Sequence, residues 1–347
     1  MKSFCCIVVL FFVSSAWAQQ KIIPTVQVLT SGTNTSLRGL SVASDEVVWV
    51  SGSRGTVGRT TDGGKNWKWL VVKGFEKTDF RDIEAFDATT AIIMSVGEPA
   101  YLLRTIDGGD TWKVVYENRT KGMFLDALEF WNEESGMVIG DPIDGRFFVA
   151  RTFDGGNTWK DVPEMNRPLA DSGEACFAAS GTNLRALDND EAVFVSGGKS
   201  SNIFIRSKKN PLPIVQGLET TGANSIAVWN RYRKNGGNQL VVVGGDFNAD
   251  SSATQNCVYS LNRGKTWLTP KVPPHGYRSC VEYLDKKILV SCGLTGVDYS
   301  KDNAYTWRLI SSESFHVCRI AKIGSTIYLA GNNGKVGRLV FDDDDRE

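Results

Sequence analysis

The sequence predicts an all-β chain, a seven-bladed β-propeller of four-stranded antiparallel blades closed by pairing of an N-terminal strand with the last blade. Three observations predict it. First, one eight-residue pattern recurs five times: TTDGGKNW at Thr60 to Trp67, TIDGGDTW at Thr105 to Trp112, TFDGGNTW at Thr152 to Trp159, SLNRGKTW at Ser260 to Trp267 and SKDNAYTW at Ser300 to Trp307. Repetition at periods of roughly 20–50 residues marks solenoids and propellers. Second, seven apolar, β-branched runs end in glycine: EVVWVSG from Glu46, TAIIMSVG from Thr90, SGMVIG from Ser135, EAVFVSG from Glu191, QLVVVGG from Gln239, KILVSCG from Lys287 and TIYLAG from Thr326. Runs of this kind read as buried strands rather than helices. Third, the last repeat has three strands, near His316 to Lys322, Thr326 to Gly331 and Lys335 to Phe341, and no turn motif after them. An orphan strand, Ile22 to Leu29, precedes the first repeat. Pairing the two ends closes the ring, and radial repetition removes long open sheet edges.

Each element of the repeat has a reason. The acidic residue of the turn can accept N–H bonds from the residues that follow it. The glycine after it supplies a backbone conformation that other residues adopt at a cost. The tryptophan starts the outer strand and buries a large ring between sheets. Asp62, Asp107, Asp154, Asn262 and Asp302, with Trp67, Trp112, Trp159, Trp267 and Trp307, therefore form a structural series. Asn262 fits it, because an amide oxygen accepts the same bonds but cannot act as a carboxylate acid or base. The fourth repeat lacks the motif and reads SKKNPLP, Ser207 to Pro213, where Pro211 and Pro213 predict a divergent turn.

The ends predict processing. Lys2, the apolar run Phe4 to Val13 and Ala16-Trp17-Ala18 have the order of a signal peptide over residues 1–18. The run is too short to span a bilayer. A single propeller domain then covers 19–347, with a short acidic tail over 342–347, and the mature chain is expected to be exported to a periplasm or the extracellular space. Lys+Arg and Asp+Glu number 39 each, so no global field points to nucleic acid. Removing the signal leaves five cysteines, Cys176, Cys257, Cys280, Cys292 and Cys318. Cys280 and Cys292 lie on neighbouring strands of one hairpin, and a disulfide between them is one expectation. With two histidines and no C-x-x-C pair, no metal site is expected.

Function is sought away from the repeated turn. First strands line the channel of a propeller, and their entry loops share one face with the loops joining second to third strands. Alignment of Leu37-Arg38-Gly39-Leu40, Phe80-Arg81-Asp82-Ile83, Phe124-Leu125-Asp126-Ala127, Tyr277-Arg278-Ser279-Cys280 and Phe315-His316-Val317-Cys318 places Arg38, Arg81, Arg278 and His316 at the channel mouth. Arg54, Glu98, Asp141 and Asp246 join them from the loops. The rim has two readings: a docking site for a protein segment or anionic ligand, or ion pairs that tie blades together.

The turns are the Asp-box (BNR) repeats found in sialidases. LRGLSVASDEVVWVSGSRGTVGRTTDGGKNW (Leu37 to Trp67) and FRDIEAFDATTAIIMSVGEPAYLLRTIDGGDTW (Phe80 to Trp112) closely resemble blades of the photosystem II assembly-factor-like family, and the resemblance covers essentially the whole mature chain. It implies an exported or lumenal propeller acting as a non-catalytic binding or assembly scaffold, without implying photosynthesis. The alternative is a glycoside hydrolase of sialidase type, in which three arginines clamp a carboxylate and Glu98, Asp141 or Asp246 supplies the acid and base. Against it, the F/Y-R-I-P sequence before the first Asp-box is missing and Ser36-Leu37-Arg38-Gly39 stands there. No dinucleotide or haem motif is present, so no cofactor is expected and no catalytic residue is assigned. The expected partner is a protein or peptide segment, with a glycan or other anionic ligand as the alternative.

Overall fold

The structure, a computed structural model, describes residues 23–341 apart from 32, 189, 207 and 232–235. The expected signal peptide and acidic tail lie outside the described residues. Seven antiparallel sheets form the ring. Blade 1 comprises Leu37–Val42, Val48–Gly52, Thr56–Thr60 and Lys68–Val71; blade 2, Phe80–Ala85, Ala91–Ser95, Ala100–Thr105 and Lys113–Asn118; blade 3, Leu125–Phe130, Gly136–Ile143, Arg146–Thr152 and Lys160–Asp161. Blade 4 comprises Leu184–Ala186, Ala192–Val195, Asn202–Ile205 and Lys208–Pro211. Blade 5 comprises Thr221–Val228, Leu240–Asp246 and Cys257–Ser260, with an outer bridge between Tyr259 and Leu268. Blade 6 comprises Cys280–Asp285, Ile288–Gly293, Gly296–Ser300 and Arg308–Ser311. Blade 7 contributes Val317–Ile320, Ile327–Ala330 and Lys335–Val340, and its fourth strand is Thr25–Ser31. Each first strand contacts the next, and the first strand of blade 7 contacts that of blade 1, so the ring is closed. Closure runs through the expected strand, in register from Thr25 opposite Val340 to Ser31 opposite Lys335. Helical structure among the described residues is limited to two single-turn 3-10 segments.

The fourth blade corrects one expectation. Within the segment expected to form a divergent turn, Lys208–Pro211 is an outer strand paired with Asn202–Ile205, and Arg206 before it has a φ of 49°. Pro211 is tolerated there because an edge strand needs no N–H on its open side.

The Asp-box turns repeat one hydrogen-bond pattern. Asp62 Oδ1 accepts the Asn66 N–H at 2.9 Å and the Thr60 hydroxyl at 2.8 Å, while the Gly64 N–H donates to Thr60 Oγ1 at 3.0 Å. Asp107, Asp154 and Asp302 accept the equivalent N–H bonds of Thr111, Thr158 and Thr306. Asn262 accepts that of Thr266 at 2.9 Å. Gly63 and Gly64 sit at φ 72° and 87°. In blade 6 Asn303 and Ala304 occupy these places and still adopt φ of 58° and 69°. The turn geometry therefore outranks the residue preference. These bonds hold Asp62 and Asp107 down at about 2, the Asn66 bonds first for Asp62 and the Thr111 bonds first for Asp107. A depressed carboxylate stabilises the fold above its ordinary pKa, and that contribution is lost as pH falls through the folded value. Between pH 4 and pH 2 the urea midpoint of the wild-type chain should therefore fall more steeply than that of Asp62→Asn/Asp107→Asn. Parallel pH profiles would show the turns to be electrostatically inert.

The core lies between neighbouring sheets. Trp49, fully buried on blade 1, packs edge-on against Trp112 of blade 2 with ring centroids 6.4 Å apart. Its Nε1–H donates to Asp87 O at 2.9 Å, and Arg59 lies over its ring.

Candidate functional site

Upper mouth here means the end where first strands begin, and lower mouth the end that carries the Asp-box turns. At the upper mouth several first strands bulge. In blades 1, 2, 3 and 5 the pairing register skips one residue, and the skipped residues are Arg38, Arg81, Asp126 and Asn224. A bulge re-aims the extra side chain. In blade 7 His316 and Val317 both face Ala330, and in blade 6 Ser279 and Cys280 both face Cys292. The residues at this structural position are thus Arg38, Arg81, Asp126, Asn224, Ser279 and His316.

A cavity of about 440 Å³ lies here, lined by Arg38, Arg81, Asp141, Asn224, Ser279 and His316 with an aromatic wall of Phe124, Phe177, Phe247 and Tyr277. Phe247 meets Phe177 and Tyr277 edge-on, at centroid separations of 5.8 and 6.3 Å. Arg278 is not part of it. The blade 6 bulge falls at Ser279, one residue after the aligned position, and a one-residue slip turns a side chain to the other face. Arg278 is fully buried against Asp298, its Nε–H donating to Asp298 Oδ2 at 2.7 Å and its Nη1–H to Tyr277 O at 2.8 Å. It ties blade 6 together, and the cup keeps two of the three expected arginines.

The two arginines differ. Arg81 pairs with Asp79 at 2.8 Å and lies 5.9 Å from the Phe124 ring centroid. Arg38 donates a long 3.4 Å bond to Ala179 O, and its pKa is lowered by burial and then by the charge of Arg81. Two guanidiniums facing one cavity, one of them without a carboxylate in bonding range among the described residues, favour an anion between them. His316 Nε2 lies 2.9 Å from Asn332 Oδ1 and 3.2 Å from Ser36 Oγ. Burial, then Arg38, hold its pKa down at about 4, so the imidazole is neutral at pH 7. Asp141 accepts the Cys176 N–H at 2.9 Å, and burial pushes its pKa up to about 6. Asp126, fully buried behind the cavity, is raised well above the carboxylate range, by burial first and Asp141 next.

The other loop residues do not line the cup. Arg54 is exposed in a turn at φ 61°. Glu98 is exposed and accepts the Gly122 N–H. Asp246 accepts the Asn248 N–H at 2.9 Å within its own loop. The five described cysteines are free thiols, so Cys280 and Cys292 are cross-strand partners without the expected disulfide.

A plug closes the cup from below. The long connection into blade 4 runs through Cys176-Phe177-Ala178-Ala179-Ser180-Gly181-Thr182, and its hydrogen bonds to blades 1, 5, 6 and 7 place it across the channel. Arg38 of blade 1 bonds Ala179 O, Ser180 Oγ donates to Ser279 O of blade 6 at 2.7 Å, and Thr182 Oγ1 donates to Ser225 Oγ of blade 5 at 2.6 Å. Arg319 of blade 7 donates to Gly181 O at 3.3 Å. Gly181 has φ 65°, and a Cβ there would lie 2.1 Å from Asp82 Oδ2 of blade 2, so both conformation and space require glycine.

Below the plug, a second cavity of about 480 Å³ opens at the lower mouth. Four of its charged residues, Glu84, Glu129, Glu282 and Arg319, lie three positions beyond the bulges, and Glu133, Arg231 and Lys322 join them. Glu84, Glu129 and Glu282 are neutralised by neighbours. Arg185 reaches Glu282 at 3.1 Å and Glu129 at 3.7 Å, Arg231 pairs with Glu129, and Lys322 pairs with Glu84. Reading the first-strand alignment three residues further would have found this ring. The plug carries no periodic signal.

Fold and site together define an Asp-box propeller with a stoppered, arginine-bearing cup. The family model described as Photosynthesis system II assembly factor YCF48 matches residues 18–122. The solved structure described as "YCF48 bound to D1 peptide" is 16% identical and covers 92% of this chain and 95% of its own, with a TM-score of 0.63. YCF48 from Cyanidioschyzon merolae is 16% identical over 90% of this chain and 98% of its own, at 0.60. The WD40 propeller domain of Doa1, 12% identical over 93% of this chain and 98% of its own, also reaches 0.60. The family match is confined to residues 18–122, and at such identities the likeness to the solved structures concerns the propeller fold alone. No curated protein matches the sequence.

Proposed function

We propose that the chain is an exported, non-catalytic binding or assembly scaffold that docks an anionic group of a protein segment in the upper cup. The carrying observation is that Arg38 and Arg81 face one apolar-walled cavity from adjacent blades. The peptide named in the YCF48–D1 structure supports a peptide as the partner class. Arg38 and Arg81 hold the anion, and Phe124, Phe177, Phe247 and Tyr277 take the apolar groups beside it. The sialidase-type alternative loses force with Arg278, because a three-arginine clamp cannot form there.

The test is affinity capture from the native envelope with the wild-type chain and with Arg38→Gln/Arg81→Gln, followed by affinity measurement on the captured partner. Each charge-assisted bond is worth about 1.5–3 kcal/mol, so the double variant, which loses two, should bind at least about a hundredfold more weakly. A folded double variant with undiminished affinity overturns the assignment, as does sugar release from fluorogenic glycosides that Asp141→Asn abolishes.

A further inference from the structure

We propose that Cys280, Cys292 and Cys318 form a binding site for a soft monovalent d10 ion, Cu(I). The three thiols come from two blades: Cys280 and Cys292 face each other on the first two strands of blade 6, and Cys318 lies on the first strand of blade 7. Their Sγ atoms all lie within 4.8 Å of one another, and Cys280 Sγ and Cys318 Sγ are 3.6 Å apart. Thiolates bonded at about 2.3 Å to one ion stand roughly 3.8–4.0 Å apart. Small rotations about the Cα–Cβ bonds therefore reach ligand spacing, whereas a disulfide requires contraction to about 2.05 Å. The Cys318 N–H already donates to Cys280 Sγ at 3.3 Å, the kind of outer bond that fixes a ligating sulfur.

The surroundings select the ion. All three side chains are fully buried, in a core that includes Val290, Val297, Phe315 and Leu329. Zinc completes four ligands, and among the described residues no imidazole or carboxylate joins the three sulfurs. A closed set of three soft ligands suits Cu(I), which accepts low coordination by thiolate. On binding, each thiol gives up its proton to solvent, and three thiolates with one Cu(I) carry a net charge of −2. The guanidiniums of Arg185 and Arg278, each also paired with a carboxylate, lie within electrostatic range of Cys280 and Cys292. Because blades 6 and 7 share the site, the ion enters as they dock.

The full chain is refolded anaerobically with and without Cu(I), desalted, and assayed for copper and for its X-ray absorption edge. About one copper per chain, surrounded by sulfur at about 2.3 Å, is expected. Cys176→Ser/Cys257→Ser should retain it, while Cys318→Ser and Cys292→Ser, each checked for folding by circular dichroism, should retain less than about a tenth. Refolded wild-type chain without bound copper, copper with nitrogen or oxygen neighbours, or equal retention by folded Cys318→Ser overturns the proposal. So does a Cys280–Cys318 disulfide in the chain isolated from its native envelope. Zinc retained at one per chain under the same conditions overturns the choice of ion.

Discussion

Arg278→Met lowers the free energy of unfolding by about 3–5 kcal/mol, read from urea denaturation followed by tryptophan fluorescence. The substitution keeps most of the volume but leaves Asp298 without its cation at a position where both side chains are buried. Asp298 also accepts the His275 N–H at 3.0 Å, so one lost charge loosens the loop that enters blade 6. Arg278→Met/Asp298→Leu should recover part of the loss, because a buried pair replaced as a unit no longer strands a charge. Arg38→Gln, by contrast, removes one long hydrogen bond and a guanidinium that burial and Arg81 both disfavour, so its effect on stability is small. Equal destabilisation by the two substitutions would mean that Arg38 too is a strut between blades, and the cup would lose its standing as a site.

Trp49→Ala is expected to cost about 3–5 kcal/mol in the same assay, the range for emptying a large aromatic site in a packed core. Three contacts of the ring cross to blade 2 or shield it: the edge-on contact with Trp112, the bond to Asp87 O, and the Arg59 guanidinium over its face. Trp49→Phe separates these effects by keeping most of the apolar volume while losing the N–H. It should lie between wild type and Trp49→Ala. A loss below about 1 kcal/mol for Trp49→Ala would place the blade 1–blade 2 seam outside the cooperative unit.

What the sequence shows of this molecule follows from what repeats. The Asp-box, the glycine-ended runs and the unmatched strands at the two ends are periodic or conspicuously aperiodic, and they yield the blades and the closure through Thr25–Ser31. Arg38, Arg81 and His316 are legible because their bulges fall at the aligned position. Arg278 is misplaced because the blade 6 bulge sits one residue later, and nothing in Tyr277-Arg278-Ser279 marks that shift. Lys208–Pro211 reads as a turn because two prolines outweigh a strand that is permitted only at an edge. The plug escapes because Ala179-Ser180-Gly181-Thr182 makes its hydrogen bonds with blades 1, 5, 6 and 7, far away in sequence. The three thiols meet for the same reason, across a seam that only the closed ring creates.

A ring of seven like blades has a mouth that looks nearly the same after each seventh of a turn. A ligand resting on such a mouth would have many equivalent poses. The plug removes that degeneracy, because it enters from one side only, between blades 3 and 4, and stops against Ser279 and Arg319. Arg38 and Arg81 stand on one flank of the cup and Phe247 and Tyr277 on another. Whatever settles there meets a chiral, one-handed surface with a fixed direction, and a chain segment and its reversed sequence would not fit it alike.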